Sequence, residues 1–275
     1  MTDALAAVLG LPKGMSVPHS GAVELPDGRS VFVKHGDKGN IAAEVNGLRW
    51  LGEVEELAVP AVVAHADGAL ATELIRTGRP TPEAADALGR SLASLHDAPC
   101  SAFGAPWPGF IGPLPQDNDA AGEGWTEFYW ARRVEPFLRR AYDGGTIGDE
   151  GLRAVSQVCE HLPQLAGPAE SPSRIHGDLW SGNVVWGQDG KAWVVDPAAH
   201  GGHRETDLAM LNLFGCPYLD RVIAAYQEVH PLADGWRRRI PLHQLHPLLV
   251  HAVLFGSSYG RQATEAAQTL LARAR

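Results

Sequence analysis

The chain has 275 residues and a formal net charge of −9, from 23 Lys and Arg against 32 Asp and Glu. Its length can bury one large core or two modest ones, and its acidic balance argues against a nucleic-acid-binding surface. No apolar run is long enough to span a bilayer, and the N-terminus lacks the basic start of a secretory signal. Cys100, Cys159 and Cys216 are odd in number and far apart, which favours reduced thiols in a cytoplasmic protein.

The first eighty residues have the pattern of strands with one helix. Residues 21–25 and 30–34 are short runs that flank Pro26-Asp27-Gly28, which predicts a hairpin with an Asp-Gly turn. Lys34 ends the second of these strands. Taken alone, a lysine at the end of a strand is most often a solvated charge at a sheet edge.

Residues 40–51 are predicted to form a helix, and Glu44 lies on its apolar face. The apolar residues at helical spacing are Ile41, Val45, Leu48 and Leu51. Because burial of an unpaired charge is costly, an inward-facing Glu44 needs a partner. Lys34, ten residues earlier, is the candidate, and the pair is either a structural salt bridge or part of a nucleotide site.

Three elements are expected next along the chain. Residues 69–75 are predicted to form a strand, with residues 76–80 as its exit. Pro82 is expected to begin a helix at the first helical position, where its missing N–H does no harm. Residues 122–142 are predicted to form another helix, whose aromatic stripe is most often part of a core.

The segment after residue 176 is predicted to contain a tight hairpin. Residues 183–186 and 191–195 are short apolar runs, and residues 187–190 form a turn by composition. Pro197 then stops the second strand, because proline cannot donate to the strand ladder. Antiparallel pairing of the two runs brings their outer ends together.

Three polar side chains fall at that end of the hairpin. Asp178 and Asn183 flank the start of its first strand, and Asp196 follows the end of its second. Their oxygens suit Mg²⁺ or an alcohol. A surface hairpin uses Asp and Asn singly in turns, but it needs neither the Asp-x4-Asn spacing nor a further Asp at the far end. The pattern therefore predicts a phosphoryl-transfer site.

The stretch His176-Gly177-Asp178-Leu179-Trp180-Ser181-Gly182-Asn183 resembles the catalytic loop of the fructosamine (ketosamine) kinase family, a branch of the aminoglycoside phosphotransferase and protein-kinase-like superfamily. The His-Gly-Asp start and the downstream Asn belong to the whole superfamily, whereas the Leu-Trp-Ser-Gly centre is particular to ketosamine kinases. Residues 31–34, the helix around Glu44 and residues 195–209 agree in order and spacing. The resemblance spans roughly residues 20 to 260, nearly the whole chain.

The resemblance implies an α+β, protein-kinase-like fold with two lobes. Residues 1–75 would form a small N-terminal nucleotide-binding lobe, made of an antiparallel sheet with one helix. Residues 76–275 would form a larger, mainly helical lobe for catalysis and acceptor binding. The implied cofactors are ATP and Mg²⁺.

The same resemblance assigns the nucleotide contacts. Lys34, oriented by Glu44, would contact the phosphates of ATP. Residues 19–22 stand where the family has a glycine-rich phosphate loop, and they are short against that pattern, so ATP is expected to bind weakly or to draw contacts from elsewhere. The residues whose backbone groups would meet the adenine ring are Glu73, Leu74 and Ile75.

The resemblance also assigns roles around the catalytic loop. Asp178 would act as the base, and Asn183 and Asp196 would hold Mg²⁺. Trp180 would line the acceptor pocket. The residues expected to support the loop structurally are His176 and Asp207.

The acceptor implied by the Leu-Trp-Ser-Gly centre is a ketosamine, a sugar-derived ketose carried on an amine. Phosphorylation of its 3-hydroxyl, on a ribulosamine or fructosamine that is small or protein-linked, would serve deglycation. An aminoglycoside or choline-type alcohol is the alternative acceptor. A non-catalytic nucleotide-binding module is a second alternative, against which stands the complete set of Lys34, Glu44, Asp178, Asn183 and Asp196. The number of subunits stays open.

A hydrolase is a further alternative, because residues 256–260 match the Gly-x-Ser-x-Gly nucleophile elbow. That motif requires a strand before it, whereas residues 248–255 continue an apparent long apolar helix. The match is therefore interpreted as chance, and Ser258 is not expected to react with a fluorophosphonate.

The histidines at His-x-x-His spacing could suggest a metal site. No zinc-type constellation surrounds either pair in the sequence, so solvated or locally hydrogen-bonded side chains are favoured. Asp207 is expected to cap the apolar helix that follows it. The histidines concerned are His200, His203, His243 and His246.

Overall fold

The computed structural model describes residues 4–12, 17–66, 68–119 and 124–274, and its first part is a small lobe built on an antiparallel sheet. The strands lie in the spatial order β1-β2-β4-β3. Two helices accompany the sheet, α1 Ala4–Val8 and α2 Lys38–Leu51. The strands are β1 Ser20–Glu24, β2 Ser30–His35, β3 Val62–Ala66 and β4 Ala69–Glu73.

The predicted hairpin with the Asp-Gly turn is confirmed as β1 and β2, which pair from Glu24↔Ser30 to Ser20↔Lys34. Gly28 adopts a φ of +83°, a left-handed conformation that costs glycine little. Its N–H donates to the Leu25 carbonyl at 2.9 Å. The turn thus places Lys34 on an inner strand, between β1 and β4.

The helix predicted at residues 40–51 is confirmed as α2, which begins two residues earlier at Lys38. Its start is fixed by Asp37, whose carboxylate accepts hydrogen bonds from the N–H groups of Gly39 and Asn40. Its apolar face packs on Leu70 of β4. Glu44 is only 7% exposed, so it faces inward as predicted.

The larger lobe is mainly helical, and its described residues include three short antiparallel strand pairs, β5 with β6, β7 with β10, and β8 with β9. The helices are α3 Pro82–Asp97, α4 Trp125–Phe128, α5 Glu135–Asp143, α6 Asp149–Glu160, α7 Leu162–Leu165, α8 Glu205–Leu213, α9 Leu219–Val229, α10 Trp236–Phe255 and α11 Ser257–Ala274. The strands are β5 Gly109–Ile111, β6 Leu114–Gln116, β7 Ser173–Ile175, β8 Val184–Trp186, β9 Ala192–Val194 and β10 His200–Gly202.

The hairpin β8–β9 rests on a core shared with α3 and α9. Leu179, which precedes the hairpin, is fully buried in the same apolar cluster as Val194 of β9 and Leu92 of α3. Helix α3 begins at Pro82, as predicted, and the Thr81 hydroxyl accepts a hydrogen bond from the Ala84 N–H. The catalytic-loop candidate is therefore anchored in the apolar core of the larger lobe.

Two predicted elements are shorter or more broken than the sequence indicates. The strand expected over residues 69–75 ends at Glu73, and the helix expected over 122–142 is interrupted by a π-helical turn, Tyr129–Val134. Gly122 lies outside the described residues. The expected burial of the aromatic stripe is confirmed at Trp125, Phe128, Tyr129 and Phe137.

The Gly-x-Ser-x-Gly sequence lies at the junction of two helices, because α10 ends at Phe255 and α11 begins at Ser257, which places Ser258 inside α11. A nucleophile elbow connects a strand to a helix, so the structure rejects the hydrolase alternative. Within the described ranges, no helix combines the length and the apolar character that crossing a membrane requires.

Candidate active site

Two adjoining cavities lie between the small sheet and the hairpin β8–β9, and Lys34, Glu44 and Asp196 line both of them. One cavity is polar and is also lined by Asp178 and Asn183. The other is a largely apolar slot. Its apolar lining consists of Phe32, Leu48, Pro60, Leu70, Leu74, Ile75, Val185 and Val195.

The structure brings the three predicted polar side chains to one end of the hairpin. Val184 pairs with Val194, and the Val195 N–H donates to the Asn183 carbonyl at 3.0 Å, so Asn183 and Asp196 end up side by side. The Asn183 amide then donates to the Asp178 carbonyl at 2.8 Å and to its carboxylate at 3.1 Å. This is the convergence that antiparallel pairing of the two runs requires.

Lys34 contacts two carboxylates at once. Its Nζ lies 2.6 Å from Glu44 and 2.7 Å from Asp196. Burial lowers the pKa of Lys34, but the two carboxylates outweigh burial and raise the pKa overall, so the amine stays protonated. Burial raises the pKa of Glu44 to about 7, in opposition to the lowering by Lys34. The inward-facing glutamate therefore has the partner that its burial demands.

Asp178 lies in a partly dry environment suited to proton transfer. Burial raises the pKa of its carboxyl to about 7, against the lowering by the hydrogen bond from Asn183. A carboxylate with a pKa near neutrality is a better proton acceptor than one at its ordinary value. One carboxylate oxygen takes the Asn183 amide, which leaves the other for a substrate.

The donor set beside Asp178 fits a hard divalent cation. The amide nitrogen of Asn183 is committed to Asp178, so its carbonyl oxygen is left as an acceptor. Asp196 follows the strand in a left-handed conformation, φ +53°, and its side chain is 57% exposed in the polar cavity. Amide and carboxylate oxygens are what Mg²⁺ prefers.

A buried aspartate holds the start of the catalytic loop by its backbone. The Asp207 carboxylate accepts hydrogen bonds from the N–H groups of His176, at 2.7 Å, and Gly177, at 2.9 Å. His96 lies 3.2 Å away on the same carboxylate. Although burial raises the pKa of Asp207, the hydrogen bond from His96 and the other partners lower it overall. The prediction that Asp207 caps its helix is wrong, because α8 already begins at Glu205 with Arg204 at the cap.

His176 and Gly177 fix the loop in different ways. His176 is fully buried, accepts the Asp178 N–H at Nδ1 and therefore donates from Nε2 to the Val195 carbonyl at 2.9 Å. Gly177 has φ +80°, and a Cβ on it would lie 2.3 Å from the Ala198 carbonyl oxygen. The loop is thus tied to both sides of Asp196.

Trp180 is placed apart from the two cavities. Its side chain is 39% exposed, and its ring packs edge-on against Phe214 at 6.0 Å between centroids. A Cβ on Gly182 would meet the indole, so glycine lets the Trp180 ring lie over the loop in this position. Glu73, Leu74 and Ile75, in contrast, line the apolar slot as a run that continues β4.

The hairpin β5–β6 is a wall of the polar cavity that the sequence did not reveal. Its residues Phe110 and Gly112 line the cavity. The Asn40 side chain of α2 donates to the Gly112 carbonyl at 2.6 Å, and Phe110 packs against Gly39. The hairpin therefore connects the larger lobe to the first turn of α2.

Residues 19–22, which stand where the family has a glycine-rich phosphate loop, do not follow the family pattern. Residues 20–22 belong to β1, and His19 accepts a hydrogen bond from the His35 N–H. Of the described residues 17–22, none lines either cavity. Residues 13–16 lie outside the described part of the chain.

The four histidines, expected to be solvated or locally hydrogen-bonded, are buried rather than solvated, and local hydrogen bonds are confirmed at His200 and His203. His203 and His243 instead meet Glu205, with their ligand-capable atoms within 4.8 Å of one another. Arg239 already binds both Glu205 oxygens, and His203 Nδ1 accepts the Glu205 N–H, which leaves its proton on Nε2. The two Glu205 oxygens and His203 Nδ1 therefore have protein partners, and these contacts stabilise the start of α8.

Comparison with known proteins adds independent evidence. The family model described as fructosamine kinase matches residues 17–273. A probable ketoamine kinase of Enterococcus faecium is 34% identical over 231 residues, covering 83% of this chain and 82% of the relative. The crystal structure of a candidate fructosamine-3-kinase from Thermobifida fusca superimposes with a TM-score of 0.90, at 49% identity and with 98% of each chain covered.

The fold extends to more distant enzymes. An ADP-bound aminoglycoside phosphotransferase superimposes with a TM-score of 0.59, covering 93% of this chain and 90% of the other. Its identity is 18%, so the likeness is one of fold. The predicted two-lobed, protein-kinase-like architecture is confirmed.

Proposed function

The chain belongs to the fructosamine kinase family, and we propose that it transfers the γ-phosphoryl group of ATP to the 3-hydroxyl of a ketosamine, with Mg²⁺ as cofactor. The relatives named as ketoamine kinase and fructosamine-3-kinase support this acceptor and this position. The observation that carries the proposal is the contact between Lys34 of the small lobe and Asp196 of the larger one, beside Asp178.

ATP occupies the two cavities in this proposal. The adenine ring lies in the apolar slot against the backbone of Glu73, Leu74 and Ile75. Lys34, held by Glu44, contacts the phosphates in the polar cavity. Residues 1–75 form the nucleotide-binding lobe, and residues 76–275 supply the catalytic groups and the acceptor site.

Asn183 and Asp196 hold Mg²⁺, which when bound neutralises charge on the phosphate oxygens. Asp178 accepts the proton of the acceptor hydroxyl as that oxygen bonds to the γ-phosphorus and ADP leaves. His176 and Asp207 keep the loop in place through the backbone hydrogen bonds described above. Trp180 lies on the acceptor side of Asp178.

The physiological setting follows from the acceptor. Phosphorylated ketosamines are the intermediates of deglycation, and either a small or a protein-linked ketosamine fits the family. We assign the protein to the reducing cytoplasm, a placement supported by three free and widely spaced cysteines.

The test is an ATP-consumption screen over ribulosamines, fructosamines, aminoglycosides and simple amino alcohols. We expect turnover with at least one ketosamine, and a product phosphorylated at carbon 3 by NMR. Asp189→Asn, at the distal turn of the same hairpin, is the matched control for Asp178→Asn, because it leaves the site intact. Silence on both ketosamines with a signal on an aminoglycoside or an amino alcohol would overturn the acceptor.

A further inference from the structure

Five rings from three separate segments form one partly exposed aromatic patch, defined as Trp180, Phe214, His251, Phe255 and Tyr259. Trp180 belongs to the catalytic loop, Phe214 follows α8, and the others lie on α10 and α11. Centroid distances are 4.9 Å for Phe214–His251, 5.0 Å for His251–Tyr259 and 5.3 Å for His251–Phe255. His251 thus stands at the centre of the patch.

The patch adjoins the proposed catalytic base. His251 lines a small cavity together with Asp178, Met210 and Val250. On the other side, Trp180 is two residues from Asp178 and reaches the patch through Phe214. An acceptor that is bound at Asp178 and extends away from the hairpin β8–β9 therefore meets the faces of these aromatic rings.

Folding alone does not account for the exposure of these rings. Phe255 is 65% exposed and Trp180 is 39% exposed, although both contact neighbouring rings. Each square ångström of apolar surface left in water costs about 25 cal/mol. Contiguous exposed apolar surface of this kind marks binding sites in soluble proteins.

The chemistry of a ketosamine matches this placement. The nitrogen is attached at carbon 1, and the phosphorylated hydroxyl is at carbon 3, so the amine substituent extends away from the phosphoryl group. The secondary amine is protonated at neutral pH, and aromatic faces attract such cations. His251 donates from Nδ1 to the Pro247 carbonyl at 2.7 Å, and burial lowers its pKa, so its ring is neutral and does not repel a cation.

We propose that the aromatic patch binds the amine side of the acceptor, and that it selects small ketosamines whose carrier amine bears an apolar or aromatic group. This inference rests on the proposed function. The protonated nitrogen lies beside Trp180, and the carrier group lies on His251, Phe255 and Tyr259. Aromatic pairs of this geometry contribute binding beyond their buried area.

The test compares two acceptors that share the sugar and differ in the carrier, an ethylamine and a phenethylamine ribulosamine, with the corresponding fructosamines run in parallel. We expect Phe255→Ala to lower kcat/KM for the phenethylamine adduct by about fivefold and for the ethylamine adduct by less than about twofold. The KM for ATP should not change. Val229→Ala, at another exposed apolar position, on α9, is the control.

The possible outcomes distinguish a failure of the proposed function from a failure of the inference about the aromatic patch. Absence of turnover on every ketosamine would overturn the proposed function itself. If both adducts are turned over and Phe255→Ala lowers kcat/KM equally for both, or for neither, the role of the aromatic patch alone would be overturned. A lysine-peptide adduct that exceeds the phenethylamine adduct, with the same dependence on Phe255, would show that the patch takes protein-linked carriers instead. Thermal unfolding of Phe255→Ala confirms that the variant is folded.

Discussion

Lys34 of β2 donates a 2.7 Å hydrogen bond to Asp196, 162 residues further along the chain, and so connects the two lobes at the floor of the polar cavity. The same amine lies 2.6 Å from Glu44. One cation is therefore shared by a carboxylate from each lobe. A nucleotide phosphate that contacts Lys34 enters a position whose geometry both lobes have already fixed.

Substitutions of Lys34 and Glu44 are expected to have coupled effects on the free energy of unfolding but not on turnover. Lys34→Met leaves Glu44 buried without a partner and should lower the free energy of unfolding by about 3 kcal/mol. Glu44→Gln should cost less, because Lys34 keeps Asp196. The double variant should regain most of the stability yet remain at least roughly a hundredfold below wild-type turnover. Chemical denaturation and steady-state kinetics check both expectations; full turnover in the double variant would contradict the assigned role of Lys34.

Asp207 is expected to position the catalytic loop and to have little effect on ATP binding. Asp207→Asn replaces one of the two acceptor oxygens by an N–H₂ group, which then faces the N–H of either His176 or Gly177, and should lower the free energy of unfolding by about 3 kcal/mol or more. The remaining folded enzyme should show a lower kcat with little change in the KM for ATP. A variant with unchanged stability and kcat would show that these hydrogen bonds do not position the loop.

The hairpin β5–β6 is expected to assist nucleotide binding through Asn40. Asn40→Ala removes the 2.6 Å hydrogen bond to the Gly112 carbonyl, a bond whose loss should cost about 1 kcal/mol. The KM for ATP should rise by about fivefold if that energy is used in holding the hairpin over the cavity. The measurement is the ATP dependence of turnover, with Asn212→Ala, an exposed position on α8, as control. An unchanged KM would separate the hairpin from nucleotide binding.

His203 is expected to make the fold sensitive to mild acid. Burial lowers the pKa of His203 from 6.5 to about 3, so the unfolded chain binds this proton readily and the folded chain does not. Its contribution to stability is complete above the unfolded pKa and is lost as the pH falls. Between pH 7 and pH 5 the loss from this group is about 2 kcal/mol.

The variant His203→Asn tests this pH dependence, because the Asn carbonyl can accept the Glu205 N–H in place of Nδ1. The free energy of unfolding should then fall by about 2 kcal/mol less between pH 7 and pH 5 than in the wild type. His65→Asn, at an exposed histidine, serves as control. Parallel pH profiles of His203→Asn and wild type would show that another group is responsible.

Local patterns in the sequence were sufficient to predict the centre of the site. The alternation of apolar runs and turn residues predicted the hairpin β8–β9, and pairing geometry then required Asn183 and Asp196 to meet. The helical spacing around Glu44 predicted an inward carboxylate, which identified Lys34 as its partner. Each inference needed only neighbouring residues and one rule of regular structure.

Features that depend on distant partners could not be predicted in this way. The hairpin β5–β6 has strands of three residues, with one proline inside β6 and others beside the strands, so it shows no periodicity, and its cavity wall depends on Asn40. The burial of the histidines depends on partners from distant segments, such as Trp125, which stacks on His243. The predicted cap at Asp207 lies three residues after the true cap, Arg204, because the polar residues Glu205 and Thr206 hide the start of α8.

The most direct test of the account is the turnover of Asp178→Asn on the best ketosamine, measured together with the affinity for ATP and Mg²⁺. The side chain of Asn keeps the size of Asp and one oxygen that can accept the Asn183 amide, but it does not accept the proton of the hydroxyl. The account predicts a loss of ~10²–10⁴-fold in kcat with ATP affinity retained, and Asp189→Asn at the distal turn unaffected. An unchanged kcat in Asp178→Asn would contradict the assignment of Asp178 as the catalytic base.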